Sequence, residues 1–477
     1  MKKEVEVFYP GSFEDSNHFY PKALNSLIHP MVNHFFNLGN ERIVERYHYL
    51  NPQVEKDLLK KELDKRAKNF FWGGADLFYV TTEQGNRKMV VLETNSCPSG
   101  QKSMPSLIDS DEFRGYSALV KDSFIPALKG RRLPEGEFAV IYDKNYVEAS
   151  GYASTIAEEL KRKVYLVPFF DDQCDGEFRS GILYIKDPET QEEVPIKAAL
   201  RYVTQKPWTR IPVTTKTFIY NSTLVCLSGG RNKLVANKAY EIYNTKLEKS
   251  GLQINAPETI MDVSKIEIPL WVKKFGGHAV IKNPYSNAGQ GVYTVTNEQE
   301  LDEFMSREYD YDQFIVQSLI GHYNWSSSSS KGKYFHIGTL PNKRKESFVA
   351  DLRIMVVTTP RGYKPVAIYA RRAAKALKSE FAQNQESWSM LGTNLSVRID
   401  KNKWSSDTSR LLLMDRKDFN TLGIGIDDLI EGYIQTVLSI SAIDEMTIQL
   451  TNSKGAFRKK LFKSLDNDEQ LVKEILY

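Results

Sequence analysis

The sequence predicts an α/β (α+β) protein of several domains, on three observations. The chain is long, at 477 residues, which suits two or three domains better than one. Its 41% hydrophobic and 26% charged residues are those of a folded globular protein. One stretch alternates strand, helix and strand while others read as hairpins, so parallel and antiparallel sheet both occur.

The elements follow in chain order. Residues 15–70 read as helical, and 55–71 carries apolar residues at 58, 59, 63, 67, 70 and 71 among charges, the pattern of an amphipathic surface helix. Gly73-Gly74 is expected to end it. Asp76-Leu77-Phe78-Tyr79-Val80 reads as a strand, Glu83-Gln84-Gly85-Asn86 as a turn and 88–94 as the returning strand. Phe138-Ala139-Val140-Ile141-Tyr142, a helix over 154–163 and Val164-Tyr165-Leu166-Val167-Pro168 form a β-α-β unit. Further strands are expected at 182–185 and 198–203. A helix covers 233–247, and strands cover 278–282, 314–320, 348–358 and 364–376. The serine run Ser326-Ser327-Ser328-Ser329-Ser330 reads as a mobile loop. The tail from about 424 is mostly helical. No internal repeat is visible.

Composition excludes several function classes. A net charge of +4 is slight for this length and makes no case for nucleic acid. Cys97, Cys174 and Cys226 lie far apart and form no disulfide framework, which suggests a reducing compartment. Seven histidines make no H-E-x-x-H or H-x-x-x-H pair, against a zinc site. No apolar run of eighteen residues occurs, so no membrane partner is expected. The N-terminus lacks a signal-peptide core. A cytoplasmic location is the default expectation.

The chemistry-bearing motifs are spread along the chain. Glu93-Thr94-Asn95-Ser96-Cys97-Pro98-Ser99-Gly100 sets a carboxylate and an amide two residues apart on a strand, hence on one face. Oxygen ligands so placed suit a hard cation such as Mg²⁺. Taken alone, the pair also suits a strand that ends in an ordinary turn. Lys282 closes an apolar strand ahead of Ser286-Asn287-Ala288-Gly289-Gln290-Gly291. Glycine-rich backbone offers N–H groups to phosphates, and a nearby lysine adds a point charge; a plain hairpin turn is the alternative. Neither G-x-x-x-x-G-K-[ST] nor G-x-G-x-x-G is present. Asp351-Leu352-Arg353 and Arg371-Arg372 place charges inside apolar strands, where they need an anion or an ion-pair partner. Asn394 follows a Gly turn.

In this set and order the chain resembles the ATP-grasp superfamily, the ligases that include D-alanine–D-alanine ligase, glutathione synthetase and the glutamate-adding ligases. The likeness lies in Ala279-Val280-Ile281-Lys282 with Gly289-Gln290-Gly291, the hinge strand Val316-Gln317-Ser318-Leu319-Ile320, Asp351-Leu352-Arg353, Arg371-Arg372 and Thr393-Asn394-Leu395. The Gly-x-Asp and E-x-N-x-x-P-G strands that usually follow stand here at the front, as Gly74-Ala75-Asp76 and Glu93 to Gly100. The chain thus resembles circularly permuted ATP-grasp carboxylate–amine ligases over about 75–400.

The resemblance implies a permuted ATP-grasp fold. Residues 1–130 would be the permuted metal-binding part and 131–225 a parallel α/β pre-ATP-grasp domain. The nucleotide lobe would be 226–335, the catalytic lobe 336–423 and a helical extension 424–477. It implies ATP and Mg²⁺ as cofactors. Asp76, Glu93 and Asn95 would hold the metal. Lys238 (with Lys233 its rival) and Lys282 would meet phosphates under a lid formed by Ser286, Asn287, Gly289, Gln290 and Gly291. Gln317 and Leu319 would meet adenine, and Asp351 the ribose, since the hinge lacks an acidic residue. Arg353, Arg371 and Asn394 would stabilise the reacting groups, with Ser99 and Lys102 near a substrate carboxylate. The implied activity joins a small-molecule or peptide carboxylate to an amine; a grasp-fold kinase and an inactive nucleotide-binding regulator are the alternatives. Relatives are often dimers, so a homodimer is carried as an expectation.

Overall fold

The structure is a computed structural model that describes residues 4–106, 114–286, 289, 291–380, 386–400 and 403–476, with the side chains of 396–400, 403–406 and 476 left aside. The β-α-β unit grows into a seven-stranded sheet. Val164–Pro168, Glu137–Tyr142, Glu193–Tyr202 and Phe218–Tyr220 pair in parallel. A hairpin, Gly176–Arg179 with Ile182–Lys186, extends one edge antiparallel, and Glu6–Phe8 from the start of the chain closes the other. The parallel strands are buried on both faces, as runs such as Phe138 to Tyr142 require. The crossover helix is Tyr146–Leu160, starting eight residues before the periodicity suggests. Its first turns carry Glu148 and Ser150, which are polar yet buried, so the apolar stripe starts late in the sequence.

The second sheet has four antiparallel strands, in the order Thr259–Ser264, Gln313–Ser318, Ala279–Lys282 and Val292–Val295. Alternation sorts its side chains. Ala279, Ile281 and Val316 pack into a small core with Ile268, Val272 and Phe304 from two helices. Val280, Lys282, Gln317, Val292 and Thr294 point the other way, into a cavity.

The third sheet is antiparallel throughout. Trp72–Thr82 lies between Tyr334–His336 and Ala350–Thr359 and also pairs with Arg87–Ser96; Gly362–Arg372 and Leu411–Leu412 follow. The front strands therefore lie directly beside the strands of 350–372. The expected helix stops at Leu63, and Gly73-Gly74 sits inside a strand. The reason is close packing. A Cβ on Gly73 would lie 2.7 Å from Ile440 Cδ1 and 2.8 Å from the Phe70 ring.

Ile440 belongs to Ile426–Gln449, a 24-residue helix buried along most of its length. It packs on the third sheet and beside Lys233–Leu247, so it is a central core element. Among the described residues, no helix is long and apolar enough to cross a membrane. The serine run is pinned rather than loose. The Ser326 and Ser327 hydroxyls donate to the carbonyls of Leu319, Tyr334 and His278, and both residues are buried.

Candidate active site

The second and third sheets face each other across a cavity of about 510 Å³. The third sheet supplies its charged floor, which strand register explains. Glu93, Asp76, Arg353 and Tyr369 are successive cross-strand partners, and Phe78, Asp351 and Arg371 form the next row on the same face. Leu352 and Ile354 between them point into the core.

The floor is an ion-pair network. Arg353 Nη2 donates to Asp76 Oδ2 at 2.6 Å, and its Nε donates to Oδ1. Arg371 reaches Asp76 Oδ2 at 2.9 Å and grips Asp351 with Nε at 3.0 Å and with Nη2. Thr393 Oγ1 donates to Asp351 Oδ2 at 3.0 Å. Burial alone would raise the Asp76 carboxyl, but the guanidiniums of Arg353 and Arg371 outweigh it and hold it well below the usual carboxylate range. Both Asp76 oxygens are thus engaged by arginines, which departs from an open metal ligand. Asp351, expected at the ribose, is likewise held by Arg371 and Thr393.

At the edge of this floor Asn95 Nδ2 donates to Glu93 Oε1 at 3.1 Å, so the E-x-N pair does share one face. A β-bulge places Leu92 between the Asp76–Glu93 and Leu77–Val91 pairs, and Leu92 and Glu93 both line the cavity. Lys282 crosses from the opposite sheet and donates to the Leu92 carbonyl at 3.3 Å. Burial pushes Lys282 down to about 8, with Glu93 opposing and Lys233 adding to the shift. Lys233 lies 3.8 Å from Glu93 Oε2 and donates to the Ser286 carbonyl.

The donors fit a divalent cation only in part. Glu93 offers a carboxylate and Asn95 an amide oxygen, which already accepts from Arg231 Nη1 at 3.1 Å. Among the described residues, no group of three His, Cys, Asp or Glu is placed to hold a metal. A carboxylate beside an amide oxygen is a partial set of the oxygen ligands that Mg²⁺ takes, the rest of whose shell is commonly completed by substrate phosphates and water.

The roof comes from the second sheet. Gln317 and Leu319 line the cavity with Ser318 and Ile320, and Gln317 Nε2 donates to Thr259 Oγ1 at 2.9 Å. His336 joins them, its ring edge-on to Phe78 at 4.4 Å, and burial pushes it down to about 3, so it is neutral. Gly289, at φ +74°, closes over the opening. A Cβ there would lie 2.9 Å from Asn394 Nδ2 and 3.3 Å from Trp388. Only glycine tolerates both the conformation and the approach. Ser286 sits beneath the turn, its hydroxyl donating to the Asn283 carbonyl at 3.0 Å, and Gly291 has φ +70°. Asn287 and Gln290 lie outside the described residues.

Of the sequence-based candidates, Asp76, Glu93, Asn95, Lys282, Gly289, Gln317, Leu319, Asp351, Arg353, Arg371 and Asn394 all line this one cavity. Lys238 does not. Its ammonium pairs with Asp262 Oδ2 at 2.7 Å and donates to the Leu465 carbonyl, while Lys233, one helical turn earlier, stands beside Glu93. Sequence reasoning missed Lys144, Asn145, Arg231, Tyr369 and Trp388. Two signals were present. Lys144 and Asn145 follow the carboxyl end of a parallel strand, where ligands of open α/β sheets gather. Arg231 follows Gly229-Gly230, and a Cβ on Gly230 would lie 2.8 Å from Ser96 Cβ, so this backbone must approach the E-x-N strand closely.

No family model matches the chain, and no curated protein matches it. Among solved structures it is similar to a RimK domain ATP-grasp protein from Sphaerobacter thermophilus, at 14% identity, over 51% of this chain and 92% of that one, with a TM-score of 0.28. It is also similar to a glutathione synthetase-like effector from Globodera pallida, at 10% identity, over 72% and 81%, with a TM-score of 0.36. A third is D-alanyl-alanine synthetase A from Vibrio cholerae, at 12%, over 50% and 89%, with a TM-score of 0.27. A strand lysine and glycine turn above, a D-x-R strand and an E-x-N strand below, and one cavity between two antiparallel sheets are the parts that the ATP-grasp resemblance led one to expect.

Proposed function

We propose that the protein is an ATP-dependent, ADP-forming ligase that joins a carboxylate to an amine. The observation that supports this most is the convergence of Lys282, Glu93, Asn95, Arg353 and Arg371 on one cavity from two sheets. In this reading the hinge strand at Gln317 and Leu319 takes adenine. Lys282 and Lys233 face the phosphates, and the turn at Gly289 excludes water. A substrate carboxylate oxygen attacks the γ-phosphorus, the bond to the β-phosphate oxygen breaks, and ADP leaves. The amine then attacks the acyl phosphate carbon, loses a proton, and inorganic phosphate leaves. Negative charge grows on phosphoryl oxygens and then on the carbonyl oxygen. Fixed cations that need no reorganisation stabilise both. Arg353 and Arg371 are held in place for that task by Asp76 and Asp351. Mg²⁺, held by Glu93 and Asn95 with the phosphates, would supply further charge neutralisation.

The position of the Trp72–Thr82 and Arg87–Ser96 strands supports a circular permutation. They come first in the chain yet pair beside Ala350–Thr359. Permutation is tolerated where old termini lie near each other at the surface. The decisive experiment is a screen of amino-acid and peptide pairs for phosphate release with mass spectrometry of the product. A ligase releases ADP only when both carboxylate and amine are present and yields an amide. ADP release without an amine, with a phosphorylated product, would instead make it a kinase.

A further inference from the structure

Two of the lysines that line the cavity have no carboxylate within hydrogen-bond distance among the described residues, although Lys102 keeps a long ion pair to Glu148. Lys102 is only 6% exposed. Its nearest carboxylate oxygen, Glu148 Oε2, is 4.0 Å away, beyond hydrogen-bond reach, and its ammonium lies 5.1 Å from the Tyr20 ring centroid. Glu148 is itself satisfied elsewhere. It accepts from Ser99 Oγ at 2.7 Å, from the backbone N–H of Gly100 at 2.9 Å and of Gln101 at 3.0 Å, and from Tyr202 at 3.0 Å. Lys144 is half-buried and makes no hydrogen bond or ion pair among the described residues; its ammonium lies 5.9 Å from the Tyr202 ring centroid. Burial, with Arg231, Arg353 and Lys102 close by and only Asp143 opposing, pushes Lys144 down to about 7. Asp143 is turned away, accepting from the N–H groups of Thr204 and Gln205.

On the floor the charges are balanced, Arg353 and Arg371 being matched by Asp76 and Asp351, while Lys282 and Lys233 share the one carboxylate of Glu93. A buried cation without a counter-ion is costly unless a ligand supplies one. Neutral donors and acceptors accompany the two lysines: Ser99, Ser103, Asn145 and Gln205 line the same wall. Such a wall reads a charged, oxygen-rich group.

We propose that Lys102 and Lys144 seat a carboxylate of the substrate that does not react, so the substrate carries at least two carboxylates: an acidic amino acid or a peptide bearing one. This rests on the ligase reading only for which carboxylate reacts. The test reads binding rather than turnover. Aspartate, glutamate and Glu-Glu are titrated calorimetrically into the full chain, with and without ADP, each against its side-chain amide. At least one acidic form is expected to bind tenfold or more tighter than its amide. Lys144→Met should erase that preference while leaving ADP affinity within twofold. Lys102→Met should do the same; because Lys102 is buried, Lys144→Met stands alone if that variant does not fold. Equal binding of acid and amide, no binding of either, an unchanged preference in Lys144→Met, or inorganic phosphate competing more tightly than the acids would overturn the proposal. Failure of the ligase reading looks different: the acid binds, yet ATP with amines gives no ADP.

Discussion

The two ends of the cavity bury charge in opposite ways. On the floor, Asp76 and Asp351 lie between Arg353 and Arg371, and each guanidinium is gripped by carboxylate oxygens. At the other end, Lys102 and Lys144 line the cavity with Ser99, Ser103, Asn145 and Gln205, with no carboxylate in hydrogen-bond range among the described residues. The floor charges and Lys102 are buried and Lys144 is half-buried, so burial alone does not distinguish the two ends; compensation does. A compensated network holds its own geometry without ligand and suits groups that must be in place before chemistry starts. An uncompensated pair is strained until something anionic arrives, which suits recognition. Removing a charge should therefore harm the first end and relieve the second.

The largest effect is expected on the floor. Asp76→Asn leaves two buried arginines sharing one carboxylate, and breaking a buried pair this way typically costs about 3–5 kcal/mol of stability. Urea unfolding measures it. Adding Arg353→Met should recover a good part of the loss, because the uncompensated charge goes too; no recovery would mean Asp76 acts through something other than the pair. Next comes Glu93→Ala. Its side chain is 29% exposed and is not a partner in the floor network, so the protein should stay folded while ADP formation falls by about 10²–10³, or roughly 2.7–4 kcal/mol in the barrier. Near-normal ADP release would remove Glu93 from the site. Thr393→Val takes one hydrogen bond from Asp351, and a bond to a charged group is worth about 1.5–3 kcal/mol. A smaller loss than for Asp76→Asn is expected in the same unfolding assay; an equal loss would mean the network fails as a unit rather than pair by pair.

The compensated end was legible in the sequence; at the other end the resemblance pointed to Lys102, with Ser99, but nothing pointed to Lys144. Asp351-Leu352-Arg353 and Arg371 stood out because charges inside apolar strands have few explanations, and strand parity alone puts Asp351 and Arg353 on one face. What parity cannot give is register across distant strands. The pairing of Asp76 with Arg353 joins residues 277 apart, so the metal role expected of Asp76 and the ribose role expected of Asp351 could not be weighed against ion pairing. Lys144 carries no local signal because the residue after a buried strand is commonly a charged loop residue. Only the fold turns that position into a cavity wall. The long helix Ile426–Gln449 escaped a role for a related reason. It is apolar on most sides, and what it packs against lies more than three hundred residues away, at Gly73 and Phe70.

Because solvent screens this half-buried group, the smallest effect, and the one that separates the two ends most sharply, is expected at Lys144. Its folded value of about 7 lies below the ordinary lysine value of 10.5. Between those limits the unfolded chain holds the proton and the folded chain does not. Stability from this group therefore rises with pH across about 7 to 10.5 and is flat on either side. Below 7 the folded protein carries an unmatched, half-buried charge, and that penalty is at its full value. Lys144→Met removes the charge, so the variant should melt slightly higher than the parent at pH 6, and the gap should close as pH approaches 10. Thermal melting at several pH values reads both curves, and comparing them cancels every other titrating group. A variant that melts lower at pH 6 would mean that Lys144 is matched after all, and the contrast between the two ends of the cavity would be lost.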